Sequence, residues 1–215
     1  MIIVSVTDRK GCVRPLLEQA ELIAAAGADM IVLREKDLPE DELLDMAASL
    51  KEICRRHRTE FCMDSPADVA RAAGAETVWL PFRAFMESGR PCFRKVGVSV
   101  HSLEEGLQAD GLGADFLVYG NVFETACKPG KPAKGLEEME TLAKAAKAPV
   151  YAIGGIGPGN IAMVRDRGAS GACLMSGLMK SEDPTATILE LRRNLCGRLQ
   201  RHTPFFGSIL ASIVK

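Results

Sequence analysis

The sequence predicts a single (β/α)8 barrel, a fold in which eight parallel strands alternate with helices around one core. Eight short apolar runs rich in Val and Ile recur along the chain, and a stretch of helical period follows nearly every run. An open doubly wound sheet is the alternative, but it would show fewer and more uneven units. We expect a barrel domain over residues 1–200 and a tail over residues 201–215.

The predicted strands are short and consist mostly of apolar, often β-branched residues, as expected for strands buried on both faces. They are Ile2–Thr7, Met30–Arg34, Glu60–Met63, Thr77–Leu80, Lys95–Val100, Phe116–Tyr119, Val150–Ile153 and Ala172–Met175. In a barrel, functional residues lie at the carboxyl ends of such strands.

The predicted helices carry apolar residues at helical spacing. They are Leu16–Ala26, Leu43–His57, a helix opened by Ser65 and Pro66, a helix capped by Ser102, Leu136–Ala146, Asn160–Arg167 and Asp183–Cys196. Ser65 and Ser102 are predicted N-caps because a hydroxyl accepts hydrogen bonds from the first helical turn. The pattern is weakest after Pro81. The tail is apolar enough to pack across the barrel bottom or on a second subunit.

Composition restricts the class of partner. The 27 basic and 28 acidic residues are spread evenly, so neither nucleic acid nor an anionic membrane is expected, whereas a small neutral or anionic ligand fits. No apolar run reaches the roughly 20 residues of a membrane span, and the N-terminus lacks a signal-peptide pattern, so we expect a cytoplasmic protein. The seven cysteines contain no CxxC pair and are expected to be mostly buried and reduced. A homo-oligomer stays open.

Glycine-containing loops after the last two strands predict a phosphate site. Gly154 and Gly155 follow strand seven, and Met175, Ser176 and Gly177 follow strand eight. Glycine lets backbone N–H groups approach an anion closely, and these two loops are the usual phosphate cradle of barrels. The alternative is that Gly154 and Gly155 only form a tight turn.

Polar residues also follow earlier strands. Arg34 and Lys36 lie two residues apart, so both can converge on a phosphate or pyrophosphate, unless they are simply solvated charges. Asp64 suits either one contact to Mg²⁺ or a helix cap. His101 is either a base or a structural hydrogen-bonder. Lys128 lies in a loop rich in Gly, Pro and Lys, which fits either a mobile lid or an ordinary exposed loop.

Several segments, in their order and spacing, resemble the thiamin phosphate synthase/TenI family of small (β/α)8 barrels. The matching segments are Val6–Arg9, Leu33–Lys36, Gly97–Glu105, Gly113–Asp115, Val122–Thr125, Cys127–Lys128, Ala152–Ile156 with Asn160, Gly168–Ala169 and Met175–Gly177. The resemblance implies a site for a thiazole phosphate, with its phosphate on the loops that hold Gly155, Met175 and Ser176.

In the synthases of this family a pyrimidine pyrophosphate and Mg²⁺ also bind, and the thiazole nitrogen displaces pyrophosphate. The resemblance then assigns the pyrophosphate to Arg34 and Lys36, one magnesium contact to Asp64, the pyrimidine end to Ser99, and the reacting phosphates to Thr125 and Lys128.

The chain departs from the synthase pattern. Val32 and Met63 stand where a Gln and an Asn are usual, and Ala84 stands where a second Asp would fall. Trp79 lies in the stretch that usually reads Gly-Val-His-Leu-Gly-Gln, and we expect it to be a buried strand residue.

The segments around Ser99 and Val122 resemble the TenI branch more closely. That branch isomerises a thiazole carboxylate phosphate to its aromatic tautomer, which requires a group that removes and returns a proton. Asn121 stands at the position of the TenI-type His, and an amide does not titrate, so Glu124, Cys127 and His101 are the candidate bases.

Three functions follow from the resemblance. The leading expectation is a TenI-like thiazole-phosphate tautomerase or binding protein that needs no cofactor. The second is a thiamin phosphate synthase that uses Mg²⁺. The third is a catalytically silent regulator or ligand carrier.

Overall fold

The computed structural model describes residues 1–125, 130 and 132–196. Eight parallel strands pair in sequence order, and the last pairs back with the first to close a barrel. The strands are β1 (Ile2–Val6), β2 (Met30–Leu33), β3 (Glu60–Met63), β4 (Thr77–Pro81), β5 (Lys95–Val100), β6 (Phe116–Gly120), β7 (Val150–Ile153) and β8 (Gly171–Leu174). The predicted (β/α)8 barrel is confirmed, and the predicted strand bounds are right to within one residue.

Helices follow every strand and cover the outside of the barrel. They are α1 (Leu16–Ala25), α2 (Glu40–His57), α3 (Ala67–Ala72), α4 (Phe82–Ser88), α5 (Leu103–Gly111), α6 (Glu137–Ala145), α7 (Ile161–Asp166), α8 (Ser176–Met179) and α9 (Pro184–Cys196). α2 begins at Glu40 and not at Leu43, because the acidic residues after Pro39 favour a helical first turn. None of the described helices is long and apolar enough to cross a membrane.

The two predicted serine caps have different outcomes. Ser102 caps α5, and its hydroxyl accepts a hydrogen bond of 3.1 Å from the N–H of Glu105. The predicted cap at Ser65 is wrong, because Pro66 adopts an extended conformation at the N-cap position and α3 begins only at Ala67. Ser65 therefore lies one residue too early, and its buried hydroxyl has no hydrogen-bond partner in the described part of the chain.

The prediction that most cysteines are buried and reduced agrees only in part with the structure. Of the six described cysteines, all free, Cys54, Cys62 and Cys173 are buried, Cys12 is half-buried, and Cys92 and Cys196 are exposed. Cys127 and the tail over residues 201–215 lie outside the described residues.

Side chains from alternate strand positions fill the inside of the barrel. The buried members of this inner cluster are Val4, Val6, Met30, Val32, Cys62, Trp79, Phe116, Val118, Tyr151 and Cys173. The rings of Phe116 and Tyr151 stack with centroids 5.0 Å apart. Gly97 has no side chain because a Cβ there would lie 2.8 Å from Cδ2 of Phe116. The interior is thus a packed core that leaves only the strand ends for function.

A polar cluster closes the amino-terminal end of the barrel. The Glu60 carboxylate accepts hydrogen bonds from Thr77 Oγ1 at 2.7 Å and Lys95 Nζ at 2.8 Å, and Arg94 donates at 3.0 Å. Burial acts to raise the pKa of Glu60, but these hydrogen bonds and positive charges outweigh burial and lower the pKa below its usual 4.5. The charged form of Glu60 therefore stabilises the folded state.

We predict that Glu60→Gln lowers the free energy of unfolding at pH 7 by about 1–2 kcal/mol, because charge-assisted hydrogen bonds are lost. Since the folded pKa lies below the unfolded value of 4.5, this contribution is present above about pH 4.5 and disappears as the pH falls further. Urea unfolding at pH 7 and below pH 4 measures the difference. Glu87→Gln, at an exposed pair with Arg83, is the control and should change little. A loss in Glu60→Gln that is independent of pH would contradict the explanation.

Candidate active site

Most of the predicted site residues lie at the carboxyl-terminal end of the barrel, in three groups. Arg34, Lys36 and Asp64 follow β2 and β3, whereas His101 and Asn121 follow β5 and β6. The two glycine loops follow β7 and β8. Because β8 pairs with β1 and β1 with β2, the glycine loops and the Arg34 group are brought to one rim.

Arg34 and Asp64 form an ion pair at this rim. The Nε atom of Arg34 lies 3.1 Å from Oδ2 of Asp64, and only 11% of the Asp64 side chain is exposed. Burial raises the pKa of Asp64, and the nearby charges of Lys36 and Arg34 offset part of that rise. The main-chain N–H of Arg34 donates to Thr7 Oγ1 at 2.8 Å, which fixes the start of the loop. The structure thus places the Asp64 carboxylate beside the two cations Arg34 and Lys36.

Sequence reasoning missed Glu35, the residue between the two cations. Its buried carboxylate accepts a hydrogen bond of 2.9 Å from the main-chain N–H of Arg9 and lies 3.8 Å from the Arg9 guanidinium. Arg9 also donates to Asp37 at 2.8 Å. The available signal was its place between two cations, since β2 ends at Leu33 and strand alternation does not extend to these residues. Glu35 therefore ties the loop after β1 to the loop after β2.

The loop after β7 requires both of its glycines. Gly154 has φ +103°, and a Cβ there would lie 2.8 Å from Cα of Asn121. Gly155 has φ +67°, and a Cβ there would lie 2.5 Å from the carbonyl oxygen of Glu124. The carbonyl of Gly154 accepts from the N–H of Phe123 at 3.1 Å. The loops after β6 and β7 consequently pack backbone against backbone, which only glycine permits.

Asn160 holds the rest of the β7 loop. Its Oδ1 accepts from the N–H of Gly157 and its Nδ2 donates to the carbonyl of Gly155, both at 2.8 Å. The loop after β8 leads directly into α8, so the N–H groups of Ser176 and Gly177 fall in a first helical turn and have no intrahelical acceptor. Gly155 and Gly177 are exposed, and both loops can therefore present main-chain N–H groups to an anion.

Asn121 is buried, and its side chain and its main-chain carbonyl both form hydrogen bonds to the main chain. It is 3% exposed, its Nδ2 donates to the carbonyl of Phe123 at 3.1 Å, and its own carbonyl accepts from the N–H of Lys134. His101 lies beside it, because Nδ1 of His101 is 2.8 Å from the carbonyl oxygen of Gly120. A carbonyl only accepts, so Nδ1 carries the proton and Nε2 is the basic nitrogen of the neutral ring.

Trp79 and Ser99 are joined across neighbouring strands. The indole Nε1 of Trp79 donates to Ser99 Oγ at 2.7 Å, and Trp79 is 3% exposed inside the barrel. The prediction that Trp79 is a buried strand residue is confirmed, but its bond to Ser99 was not foreseen.

The remaining candidates lie at the loop after β6. Glu124 is exposed and Thr125 is half-buried. Cys127 and Lys128 lie outside the described residues, so the lid that the sequence suggested is not described. Within the described ranges, no group of three or more His, Cys, Asp or Glu side chains is arranged to hold a metal ion.

A family model described as thiamine monophosphate synthase matches residues 3–178 of the chain. The chain belongs to this family. A thiamine-phosphate synthase of Coprothermobacter proteolyticus is 34% identical over 193 residues, which cover 87% of this chain and 91% of the relative. A thiamine-phosphate synthase of Pyrococcus furiosus gives the same identity and coverage. These relatives are synthases by name, which supports the expectation of an enzyme.

Solved structures agree with the family assignment. A thiamine phosphate pyrophosphorylase from Pyrococcus furiosus superposes with a TM-score of 0.79 at 32% identity, and the match covers 90% of this chain and 95% of that one. A 3-hexulose-6-phosphate synthase at 22% identity and a TM-score of 0.64 shares the fold alone. The curated relatives point to the synthase, which was the second expectation from the sequence, more than to the TenI-like reading.

We predict that Gly154→Ala lowers the free energy of unfolding by about 1–3 kcal/mol, because alanine is strained at φ +103° and its methyl group would overlap Asn121. Gly157→Ala in the same loop is the matched control, since a Cβ there meets nothing within 4 Å. Urea unfolding of both variants measures the effect. Equal stability of the two variants would contradict the packing described for this loop.

Proposed function

We propose that this chain is a thiamine phosphate synthase, which joins a pyrimidine pyrophosphate to a thiazole phosphate at the open end of the barrel. The observation that carries the proposal is the group of Arg34, Lys36 and Asp64, which lies at the same rim as the two glycine loops. The group of Arg34, Lys36 and Asp64 suits a pyrophosphate with its metal ion, and the two glycine loops suit a single phosphate. The names of the relatives support the same reaction.

The thiazole phosphate would bind on the loops of Gly154 and Gly155 and of Met175, Ser176 and Gly177. Main-chain N–H groups there can donate to the phosphate oxygens without a cationic side chain. Asn160 and the close contact with Asn121 keep the first loop rigid. This placement would fix the thiazole ring and direct its nitrogen toward the second substrate.

Arg34 and Lys36 would bind the pyrophosphate of the second substrate. The thiazole nitrogen attacks the methylene carbon that joins the pyrimidine ring to the pyrophosphate. The bond from that carbon to the pyrophosphate oxygen breaks, and its electron pair leaves with the pyrophosphate. Positive charge beside this leaving group stabilises the transition state more than the ground state. The loop after β6, with Thr125 and Lys128, would contact the reacting phosphates.

Asp64 fits a magnesium ion that the substrate helps to hold. Mg²⁺ commonly uses one or two carboxylates together with substrate phosphates, and Asp64 is the carboxylate beside the proposed pyrophosphate position. When bound, Mg²⁺ would neutralise charge on the leaving pyrophosphate. Asp64 itself would orient the metal, and its ion pair with Arg34 would keep the carboxylate aimed at the rim.

A TenI-like tautomerase is the second candidate, because of the position of His101. The contact of its Nδ1 with Gly120 leaves Nε2 as a base beside Asn121, where the family resemblance places the TenI-type His. His101 would then replace the missing proton-transfer group, with Cys127 and the exposed Glu124 as further candidates. This reaction requires no metal. A binding protein without turnover is the remaining outcome.

We predict that the purified protein forms thiamin phosphate from the two precursors and Mg²⁺, and that Arg34→Gln lowers kcat/KM about 10- to 100-fold through loss of a charge-assisted contact. Arg55→Gln is the matched control, since Arg55 is an exposed arginine paired with Glu52 on α2. Formation of thiamin phosphate at an unchanged rate in Arg34→Gln would contradict the assigned role.

A parallel assay distinguishes the tautomerase from the synthase. Absorbance reports the aromatisation of the thiazole carboxylate phosphate in the native protein and in His101→Gln. The synthase proposal predicts little aromatisation and an unaltered yield of thiamin phosphate in His101→Gln. Aromatisation that is lost in His101→Gln, without any thiamin phosphate formation, would establish the tautomerase instead. Binding of thiazole phosphate without either reaction would indicate a carrier.

A further inference from the structure

On the side of β4 and β5, a buried side chain reaches up to the open end of the barrel. Trp79 pairs in register with Gly97, yet its indole N–H reaches Ser99, which lies two residues nearer the open end. The Phe116 ring already occupies the space over Gly97. The indole N–H is therefore directed toward the mouth of the barrel.

The hydrogen bond from Trp79 limits what the Ser99 hydroxyl can offer to a ligand. The indole N–H is a donor only, and at 2.7 Å it uses one acceptor lone pair of a hydroxyl that is half-buried at the mouth. A ligand ring that approached Ser99 would compete with this bond and meet the edge of a ring that is only 3% exposed. Val32 on β2 belongs to the same interior cluster as Trp79 and offers no hydrogen bond.

The charged groups lie beside this part of the mouth, because β3 pairs with β4. Arg34, Lys36 and Asp64 follow β2 and β3, and neither Trp79 nor Ser99 forms an ion pair or hydrogen bond with them among the contacts described. A molecule that carries both a ring and a pyrophosphate thus meets strong donors at its phosphate end and a filled, apolar floor at its ring end.

We propose that Trp79 is a specificity-determining residue, and that it makes the site recognise the second substrate through its pyrophosphate and hardly through its ring. The inference rests on the proposed function, since it takes Arg34 and Lys36 as the pyrophosphate contacts. It goes further by assigning the selection of substrates to a residue that contacts no phosphate. Ring substituents on the second substrate are accordingly tolerated.

Calorimetry with Mg²⁺ and no thiazole phosphate tests this without turnover. We expect the native protein to bind inorganic pyrophosphate and the pyrimidine pyrophosphate with dissociation constants within about threefold of each other, because the ring adds less than one net hydrogen bond. In Trp79→His, which frees Ser99 and removes bulk, we expect the pyrimidine pyrophosphate to bind about tenfold more tightly and inorganic pyrophosphate to be unchanged. Adding Ser99→Ala to Trp79→His should abolish this gain, because the freed hydroxyl is then removed.

Trp79→Phe keeps an aromatic filling and removes the N–H, so it guards against a misfolded histidine variant and should show a smaller gain. Native protein that binds the pyrimidine pyrophosphate tenfold more tightly than inorganic pyrophosphate would overturn the proposal. Absence of any gain in both Trp79 variants would also overturn it. Failure of inorganic pyrophosphate to bind any variant would instead refute the pyrophosphate role of Arg34, while a gain for the pyrimidine pyrophosphate in Trp79→His would still support the role of Trp79.

Discussion

Pairing between β1 and β8 closes the barrel, and the position of every site residue depends on that closure. In an open sheet the loops after β7 and β8 would lie at one edge, far from the residues that follow β2 and β3. Closure brings the glycine loops to the same rim as Arg34 and Asp64. The packed interior, with its stacked Phe116 and Tyr151 rings, supports the rim from below and prevents a ligand from entering deeper.

The loop after β2 divides its side chains between the rim and the scaffold. The charges of Arg34 and Lys36 act on Asp64 at the rim, while Glu35 between them binds Arg9 in the adjacent loop. Gly154 and Gly155 need to lack a side chain, because the loops after β6 and β7 touch at these two positions. The proposed phosphate site depends on main-chain geometry, so its residues tolerate change only where the backbone has space.

The strands, most helices and the rim location follow from the sequence, because each depends on local periodicity and on the order of βα units. The weak pattern after Pro81 corresponds to α4, a seven-residue helix that buries only Phe85 and so has too short an apolar face to detect. The error at Ser65 arose from one proline conformation. The hydrogen bond from Trp79 to Ser99 could not be predicted from the sequence, since it depends on how the indole ring is oriented when Phe116 occupies the neighbouring space.

The proposed function depends on phosphate binding at the open end of the barrel, on the loops after β7 and β8. A crystal of the protein soaked with thiazole phosphate would show where the phosphate binds. We expect phosphate oxygens within hydrogen-bond distance of the main-chain N–H groups of Gly155 and Ser176. Phosphate bound instead at the opposite end, in the cavity lined by Lys51, Arg58 and Arg94, would exclude this site.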